Sequence, residues 1–180
     1  ADGLTFSLLA DGGPAQLNHG SKRPAPKPAA DSLLRGHAFT LHFEGAAPAT
    51  VTPETSTAEH RNYFLGNDAQ HWASDVRSFR ELRYAGLWPG VSARVYESTD
   101  QYLEYDFELA PGAKPATIGL RHDGADGLAL DAVGNLLVKT SVGTVTERAP
   151  QAWQTDGAGR RRPVACRYVL DGQVAHFALG

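Results

Sequence analysis

Turn-forming dipeptides recur along the whole chain, and only short apolar stretches lie between them. Such spacing is typical of a β-sandwich or barrel, because the strands of these folds are short and end in tight turns. No stretch of about a dozen residues keeps a helical apolar stripe free of Gly and Pro, so the sequence predicts little or no helix. The clearest turn signals are Pro89-Gly90, Pro111-Gly112, Asp123-Gly124, Gly134-Asn135, Asp156-Gly157 and Asp171-Gly172.

Apolar and polar residues alternate in the stretches between these turns, as residues 4–8 and 39–43 show. A period of two places every second side chain on one face, which predicts half-buried strands. The four predicted strands between residues 118 and 147 resemble a meander, and the last two strands flank a hairpin turn at Asp171-Gly172. The further predicted strands are Ser78 to Tyr84, Val91 to Tyr96, Tyr102 to Leu109, Ile118 to His122, Leu128 to Asp131, Leu136 to Thr140, Val142 to Glu147, Val164 to Leu170 and Val174 to Leu179.

These patterns predict an all-β fold with little or no helix. We expect an antiparallel β-sandwich that forms a single domain over residues 1–180, or two small sandwich-like halves with a sub-boundary near residues 110–117. Residues 19–30 are predicted to be an exposed Pro-rich loop, since proline cannot donate to a sheet ladder. Residues 45–57 are interpreted as a second extended connector, and a short turn is predicted around residues 69–75.

Composition and charge argue against several classes of partner and site. The net charge of -3 and pI near 6.2 give no basic surface of the kind that nucleic-acid binders carry. Cys166 is the single cysteine, so neither an intramolecular disulfide nor a cysteine-based zinc site can form. No window approaches the roughly 18 apolar residues of a membrane span. The sequence contains no Met, which indicates a mature product or a segment of a longer protein.

Local catalytic and metal-binding motifs are absent from the sequence. There is no Gly-x-Ser-x-Gly elbow, no His-Glu-x-x-His, no phosphate-binding glycine loop and no dinucleotide fingerprint. The seven histidines do not form a local ligand set, so we expect no metal and no cofactor. Asp123, Asp126 and Asp131 resemble a calcium loop only superficially, because Leu128 and Leu130 interrupt it. Turns in which Asp accepts from its own backbone explain these residues better.

Aromatic side chains are the feature that points to a ligand. A pyranose ring offers a face of C–H groups that stacks on an exposed aromatic ring, as in sugar-binding sandwiches. Trp72 lies between polar neighbours and Trp88 precedes Pro89-Gly90, and both are candidate ligand-binding residues together with Tyr96. The alternative is that these rings plug the ends of the core.

The segment from Val91 to Leu109 predicts a register between two strands. Apolar residues alternate with Glu104, Asp106 and Glu108 in the second strand, and Val91, Ala93 and Val95 must share the apolar face. Only registers in which the paired residue numbers add to an even total satisfy this pattern. Arg94 is therefore predicted to lie opposite Glu104 or Asp106, in an exposed cross-strand ion pair.

Several motifs follow one another in a particular order from residue 62 onward. This order resembles the uncharacterised domain found near the N-terminus of bacterial secreted proteins that carry SBBP-type β-propeller repeats or surface-sorting modules. The resemblance implies an extracellular or cell-surface location, a sandwich-like fold and neighbouring domains in the same polypeptide, and it supplies no catalytic residues. The motifs are Asn62-Tyr63-Phe64-Leu65-Gly66-Asn67-Asp68, Trp72, Trp88-Pro89-Gly90-Val91, Leu103-Glu104-Tyr105-Asp106-Phe107, Ala110-Pro111-Gly112-Ala113 and Arg162-Pro163-Val164.

Three functions are open at this point. The first is a non-catalytic structural or interaction module of a larger secreted bacterial cell-surface protein, whose partners are neighbouring domains, surface glycans or another surface protein. The second is a carbohydrate-binding module that uses exposed tryptophans. The third is a hydrolase with dispersed catalytic residues, which would leave no local motif.

Overall fold

The computed structural model describes residues 3–10, 35–99 and 102–180. These residues form strands and two short 3-10 helices, Ala69–His71 and Pro115–Thr117, without an α-helix. The predicted all-β, antiparallel, sandwich-like fold is therefore confirmed. The strands are β1 Gly3–Leu9, β2 Gly36–Phe43, β3 Thr50–Tyr63, β4 Ala73–Trp88, β5 Val91–Glu97, β6 Leu103–Leu109, β7 Gly119–Asp123, β8 Gly127–Leu130, β9 Leu136–Thr140, β10 Gly143–Glu147, β11 Ala152–Thr155, β12 Arg161–Val164, β13 Cys166–Asp171 and β14 Val174–Leu179.

The chain divides into two compact units. The first unit contains residues 45–114, which are contiguous in sequence. The second unit contains the described residues 3–10 and 35–44 together with residues 115–180. The first unit is thus inserted in the sequence between the two parts of the second.

The first unit is built on a four-stranded antiparallel sheet in the order β3-β4-β5-β6. Along β5, buried Val91, Ala93 and Val95 alternate with half-buried polar residues, so one face of the sheet is apolar. Tyr84 and Leu87 of β4 are buried as well. Burying each large apolar side chain contributes about 1.5 to 3 kcal/mol, which makes this face the main source of stability in the sheet.

Strands β5 and β6 pair in the predicted register. Val91 lies opposite Leu109 and Arg94 lies opposite Asp106, so the paired numbers add to an even total. A slip of one residue would have moved Arg94 to the apolar face. The guanidinium of Arg94 nevertheless forms its bidentate ion pair with Glu81 of β4 rather than with a carboxylate of β6.

The interpretation of residues 45–57 as a connector is wrong beyond residue 49, because β3 begins at Thr50. This strand lies at the edge of its sheet and has no buried residue, so its sequence lacks the apolar alternation that marks other strands. Pro53 pairs opposite Leu82 within it. Proline is tolerated there because one side of an edge strand needs no ladder donor.

The second unit contains a five-stranded sheet, a three-stranded sheet and a two-stranded hairpin, all antiparallel. The five-stranded sheet has the order β1-β2-β7-β14-β13, the three-stranded sheet the order β10-β9-β8, and the hairpin consists of β11 and β12. The alternation predicted for residues 39–43 holds, since Phe39, Leu41 and Phe43 are all buried. Leu120 of β7 and Val138 of β9 are also buried.

The predicted four-strand meander between residues 118 and 147 is only partly correct. Strands β8, β9 and β10 form a meander, but β7 lies between β2 and β14 in the five-stranded sheet. The residues of β7 include the fully buried Leu120 and His122. In the five-stranded sheet β7 has a neighbour on each side, β2 and β14. In the predicted meander it would have had β8 as its one neighbour.

The C-terminal hairpin of β13 and β14 forms as predicted, with Asp171 opposite Val174. The two residues between the strands are Gly172 and Gln173, one position later than expected, and Gly172 has a positive φ of 59°. Glycine adopts that conformation without the steric cost other residues meet. The Pro-rich segment 19–30 lies outside the described residues.

Candidate functional site

The hairpin of β3 and β4 extends beyond the sheet to which it belongs. β3 and β4 pair from Thr50 opposite Ala85 to Tyr63 opposite Ala73, whereas β5 pairs with β4 only from Glu81 onward. Residues 56–80 therefore contain a two-stranded ribbon, which we call the β3–β4 arm. Every residue from 58 to 77 is exposed. The arm thus adds nothing to a buried core.

Four large apolar side chains are exposed where the arm turns. Phe64 and Trp72 meet edge to face, with ring centroids 5.4 Å apart and planes at 80°. We call these four residues the arm tip. They are Tyr63, Phe64, Leu65 and Trp72, with 44%, 62%, 69% and 44% of their surface exposed.

Local hydrogen bonds hold the arm tip in one conformation. The carboxylate of Asp68 accepts from the backbone N–H of Gln70 at 2.9 Å and caps the 3-10 helix. The backbone N–H of Trp72 donates to the carbonyl of Ala69, and its indole N–H donates to the carbonyl of Gly66, both at 3.2 Å. The ring of Trp72 is therefore oriented before any partner arrives, which lowers the entropic cost of binding.

The stem of the arm is irregular along its edge. Register shifts occur between Ser56 and His60 and between Arg61 and Tyr63 of β3. The carboxylate of Asp75, a residue with a positive φ of 57°, pairs with the imidazole of His60. Bulged edges of this kind hinder the addition of a further strand.

The structure places the three candidate ligand-binding residues in different surroundings. Trp72 belongs to the arm tip and presents its ring to solvent. Trp88 is only 6% exposed and packs against Phe107 with ring centroids 6.0 Å apart, so its ring lies in the core. A ring buried in this way offers no face for a sugar to stack on.

Tyr96 lies on the polar face of the same sheet. Its hydroxyl donates to the carboxylate of Asp106 at 3.1 Å, and the Arg94 guanidinium lies 5.3 Å from the ring centroid. Burial first, and then the nearby carboxylates of Glu104 and Asp106, raise the pKa of Tyr96 well above its ordinary value. This phenol remains protonated and acts as a hydrogen-bond donor within the sheet.

His122 is a core histidine of the second unit. Its ring is fully buried, stacks near Phe39, and has the carbonyl of Leu120 at 3.1 Å from Nδ1. The carboxylate of Glu147 lies 3.0 Å from Nε2. Within the ranges that the structure describes, no three His, Cys, Asp or Glu side chains gather as a metal site would require.

A serine and a histidine meet in the second unit, which bears on the hydrolase hypothesis. The Ser141 hydroxyl lies 3.0 Å from His37 Nδ1, and His37 Nε2 lies 2.7 Å from the carbonyl of Gly124. The backbone N–H of Ser141 also donates to Nδ1 at 3.2 Å, so this nitrogen already serves as an acceptor in a structural bond. The pair ties β2 to the β9–β10 turn.

Of the three aspartates that resemble a calcium loop, Asp131 is the one that the structure shows accepting from its own backbone. Asp131 accepts from the N–H groups of Val133 and Asn135, each at 2.9 Å. The bonds from Asn135 hold the pKa of Asp131 below its ordinary value, despite some opposing desolvation. The interpretation as a turn in which Asp bonds its own backbone is confirmed for Asp131.

Comparison with known proteins gives a family but no characterised relative. The family described as Domain of unknown function (DUF7948) matches residues 1–180. The chain belongs to this family. A search of the curated proteins and a search of the solved structures give no match to this DUF7948 chain. Within the described ranges, none of its helices has the length and apolar character needed to cross a membrane.

Sequence reasoning did not single out one aromatic site of this DUF7948 chain. Trp153 of β11 lies opposite Pro163 of β12, and the Arg161 guanidinium lies 4.6 Å from the centre of the indole ring. The signal that could have found it is the turn at Asp156-Gly157, because a hairpin about that turn brings Trp153 beside the three consecutive arginines at residues 160–162. A linear search for motifs does not register residues that pair across a hairpin.

Proposed function

We propose that the chain is a non-catalytic interaction module of a larger secreted bacterial cell-surface protein, and that its arm tip docks on a neighbouring domain of the same polypeptide. The location outside the cell and the neighbouring domains are part of the proposal and rest on the resemblance of the motif order. The observation that carries the docking role is the β3–β4 arm, which has exposed residues throughout 58–77.

The arm is poorly explained as a purely structural element of its own sheet. A two-stranded ribbon is marginally stable in water, since each strand has only one partner and neither buries a face. Exposed apolar side chains that are grouped, rather than scattered, typically mark an interaction site. Tyr63, Phe64, Leu65 and Trp72 are such a group.

Side chains rather than the backbone edge supply the contact. The register shifts along β3 and the proline at residue 53 disfavour pairing with an added strand. The rings of Phe64 and Trp72, by contrast, are ordered and open to solvent. Aromatic anchors of this kind dominate the free energy of many interfaces.

The small size of the arm tip favours a partner on the same chain. A fully buried aromatic side chain covers about 150 to 250 Å², so four partly exposed side chains offer a few hundred Å² at most. A stable complex between separate proteins needs about 800 Å² per partner. A tethered neighbour is present at an effective concentration of the order of millimolar, and a smaller contact suffices.

Hydrogen exchange in the full-length secreted protein tests this proposal. In the wild-type protein we expect the amides of residues 58–77 to exchange slowly, because the neighbouring domain covers the arm. The double variant Phe64→Ser, Leu65→Ser should exchange faster in the same residues, with the four-stranded sheet unchanged. Val133→Ser is the matched control, because Val133 is an exposed apolar residue of the second unit.

Rapid exchange throughout residues 58–77 in the wild-type full-length protein would show that nothing covers the arm. The docking role would then be abandoned. The same conclusion would follow if the double variant and the Val133→Ser control gave equal exchange in the arm.

A further inference from the structure

The β11–β12 hairpin of the second unit carries an open cavity of about 460 Å³. This volume lies within the range of about 300 to 1,000 Å³ that small-ligand sites occupy. Trp153 forms part of its wall and is 42% exposed. The cavity is lined by Trp153, Arg161, Pro163, Pro150, Gln151 and Val164.

The hairpin register places an aromatic ring, a proline ring and a cation on one face. Trp153 lies opposite Pro163 and Thr155 lies opposite Arg161, so the side chains of Trp153, Pro163 and Arg161 share a face. The guanidinium of Arg161 lies 4.6 Å from the centre of the indole ring. This contact restrains both planar groups, since a cation is attracted to the face of an aromatic ring.

Arg161 differs from the two arginines beside it in having no carboxylate partner among residues 3–10, 35–99 and 102–180. Arg160 and Arg162 both approach Asp156, with Nε to Oδ2 distances of 3.0 Å and 3.6 Å. Arg162 points to the opposite face of the hairpin from Arg161. The ion pairs of the run therefore do not use Arg161.

The attraction of the Arg161 guanidinium to the indole ring does not use up its N–H donors, which lie in the plane of the group. Those donors match a carboxylate, which they can bind through two parallel hydrogen bonds. The side chain of Gln151 is exposed at the rim and adds an amide donor and acceptor. The Arg161 guanidinium can therefore bind an anion, because no carboxylate of the described residues neutralises it.

The other lining residues indicate what kind of molecule carries the carboxylate. Trp153, Pro150 and Pro163 offer aromatic and aliphatic ring faces, which suit the C–H face of a pyranose. A free inorganic anion or a short acid would leave these surfaces without contact. A uronic acid residue carries both a pyranose ring and a carboxylate.

We infer that the Trp153–Arg161 cavity binds the uronic acid residues of an acidic polysaccharide, with the sugar ring on Pro150, Pro163 and the part of Trp153 that Arg161 leaves open, and its carboxylate on Arg161. The site belongs to the second unit and does not involve the arm tip. The sugar-binding inference and the docking proposal therefore concern different residues, and either one can fail without the other.

Calorimetric titration of the whole chain with trigalacturonate tests the inference. We expect saturable binding to the wild type, and binding of the fully methyl-esterified trimer to be weaker by about tenfold or more, because the ester removes the charge-assisted hydrogen bonds. Arg161→Gln should weaken binding of the acid trimer by a similar factor. Trp153→Ala should reduce the affinity for both trimers, because it removes the stacking surface.

Arg162→Gln is the matched control, since it removes a positive charge one residue away on the opposite face. We expect it to retain binding within about twofold of the wild type, at an ionic strength where charges more than about 10 Å apart are screened. Circular dichroism checks that each variant keeps its strands. The inference is overturned if the wild type fails to bind the acid trimer at millimolar concentration, or if Arg161→Gln and Arg162→Gln weaken binding equally. Equal or tighter binding of triglutamate would also overturn it and would assign the cavity to an acidic peptide.

Discussion

Arg94 lies opposite Asp106 across β5 and β6, yet its guanidinium bonds to Glu81 on β4. The Arg94 Nε and Nη2 atoms lie 2.6 Å and 3.1 Å from the two carboxylate oxygens of Glu81. On the other side of Arg94, the carboxylate of Asp106 accepts from the hydroxyl of Tyr96. Arg83 is the direct cross-strand partner of Arg94, so Glu81 also offsets the repulsion of two neighbouring cations.

Replacing Glu81 with Gln should therefore lower the free energy of unfolding by about 1 kcal/mol near neutral pH. The Arg94 guanidinium lowers the pKa of Glu81 below its ordinary value of 4.5. Because the folded state favours the ionised carboxylate, this contribution is full above pH 4.5 and is lost as the pH falls through the lowered pKa. Urea unfolding measured from pH 7 down to pH 3 should show a shallower decline for Glu81→Gln than for the wild type. Glu97→Gln, at the exposed end of β5, is the control and should follow the wild type.

Replacing His122 with Ala should destabilise the protein by about 2 to 4 kcal/mol, because it opens a cavity and removes a buried hydrogen bond to Glu147. Chemical denaturation at constant pH measures this loss. His71→Ala removes an exposed ring from the arm and should leave the midpoint nearly unchanged. Similar midpoints for the two variants would mean that the His122 ring contributes no more than a surface residue.

Gly124 should not tolerate a side chain. Its φ is 89°, and a Cβ atom would lie 3.0 Å from the carbonyl oxygen of Ala38 on β2. We expect Gly124→Ala to cost about 1 to 3 kcal/mol through backbone strain. Gly127→Ala is the matched comparison, because no atom lies within 4 Å of its added Cβ and the backbone is not left-handed. Thermal unfolding should show a lower Tm for Gly124→Ala and an unchanged Tm for Gly127→Ala.

Shortening the arm should leave its sheet folded. If residues 58–77 are replaced with an Asn-Gly turn, no buried side chain is lost, because all of these residues are exposed. The free energy of unfolding should change by less than about 1 kcal/mol. Near-ultraviolet circular dichroism should retain the signal of the buried Trp88, with the Trp72→Ala variant as the reference for the lost ring. Loss of the near-ultraviolet signal of Trp88 would show that the arm is needed for the fold.

Sequence reasoning predicted the parts of the fold whose burial alternates within one strand. The β5–β6 register followed from the positions of Val91, Ala93 and Val95, because any odd slip exposes three apolar residues and buries Arg94. β3 was missed because an exposed edge strand has no buried face to leave a pattern. The place of β7 in its sheet depends on β2 and β14, which lie far from it in sequence.

The candidate sites were harder to predict than the strands. Local sequence does not separate the exposed Trp72, which precedes Ala73, from the buried Trp88, which precedes Pro89, because neither neighbour determines burial. Their exposure is decided by whether β5 and β6 extend far enough to cover them, which they do for Trp88 only. The partnership of Trp153 and Arg161 exists only once the hairpin has formed.

The insertion of the first unit within the second fixes an order for folding during synthesis. Residues 45–114 are contiguous, so their sheet can be completed as soon as β6 has left the ribosome. β1 and β2 leave before that unit and can pair with each other, but the second partner of β2 is β7, which is made after the whole first unit. Phe6 of β1 can stack on Phe39 during that interval, but the edge of β2 that pairs with β7 stays open on the nascent chain. Until β7 is made, that open edge is a place where a chaperone can protect the nascent chain from pairing with another strand.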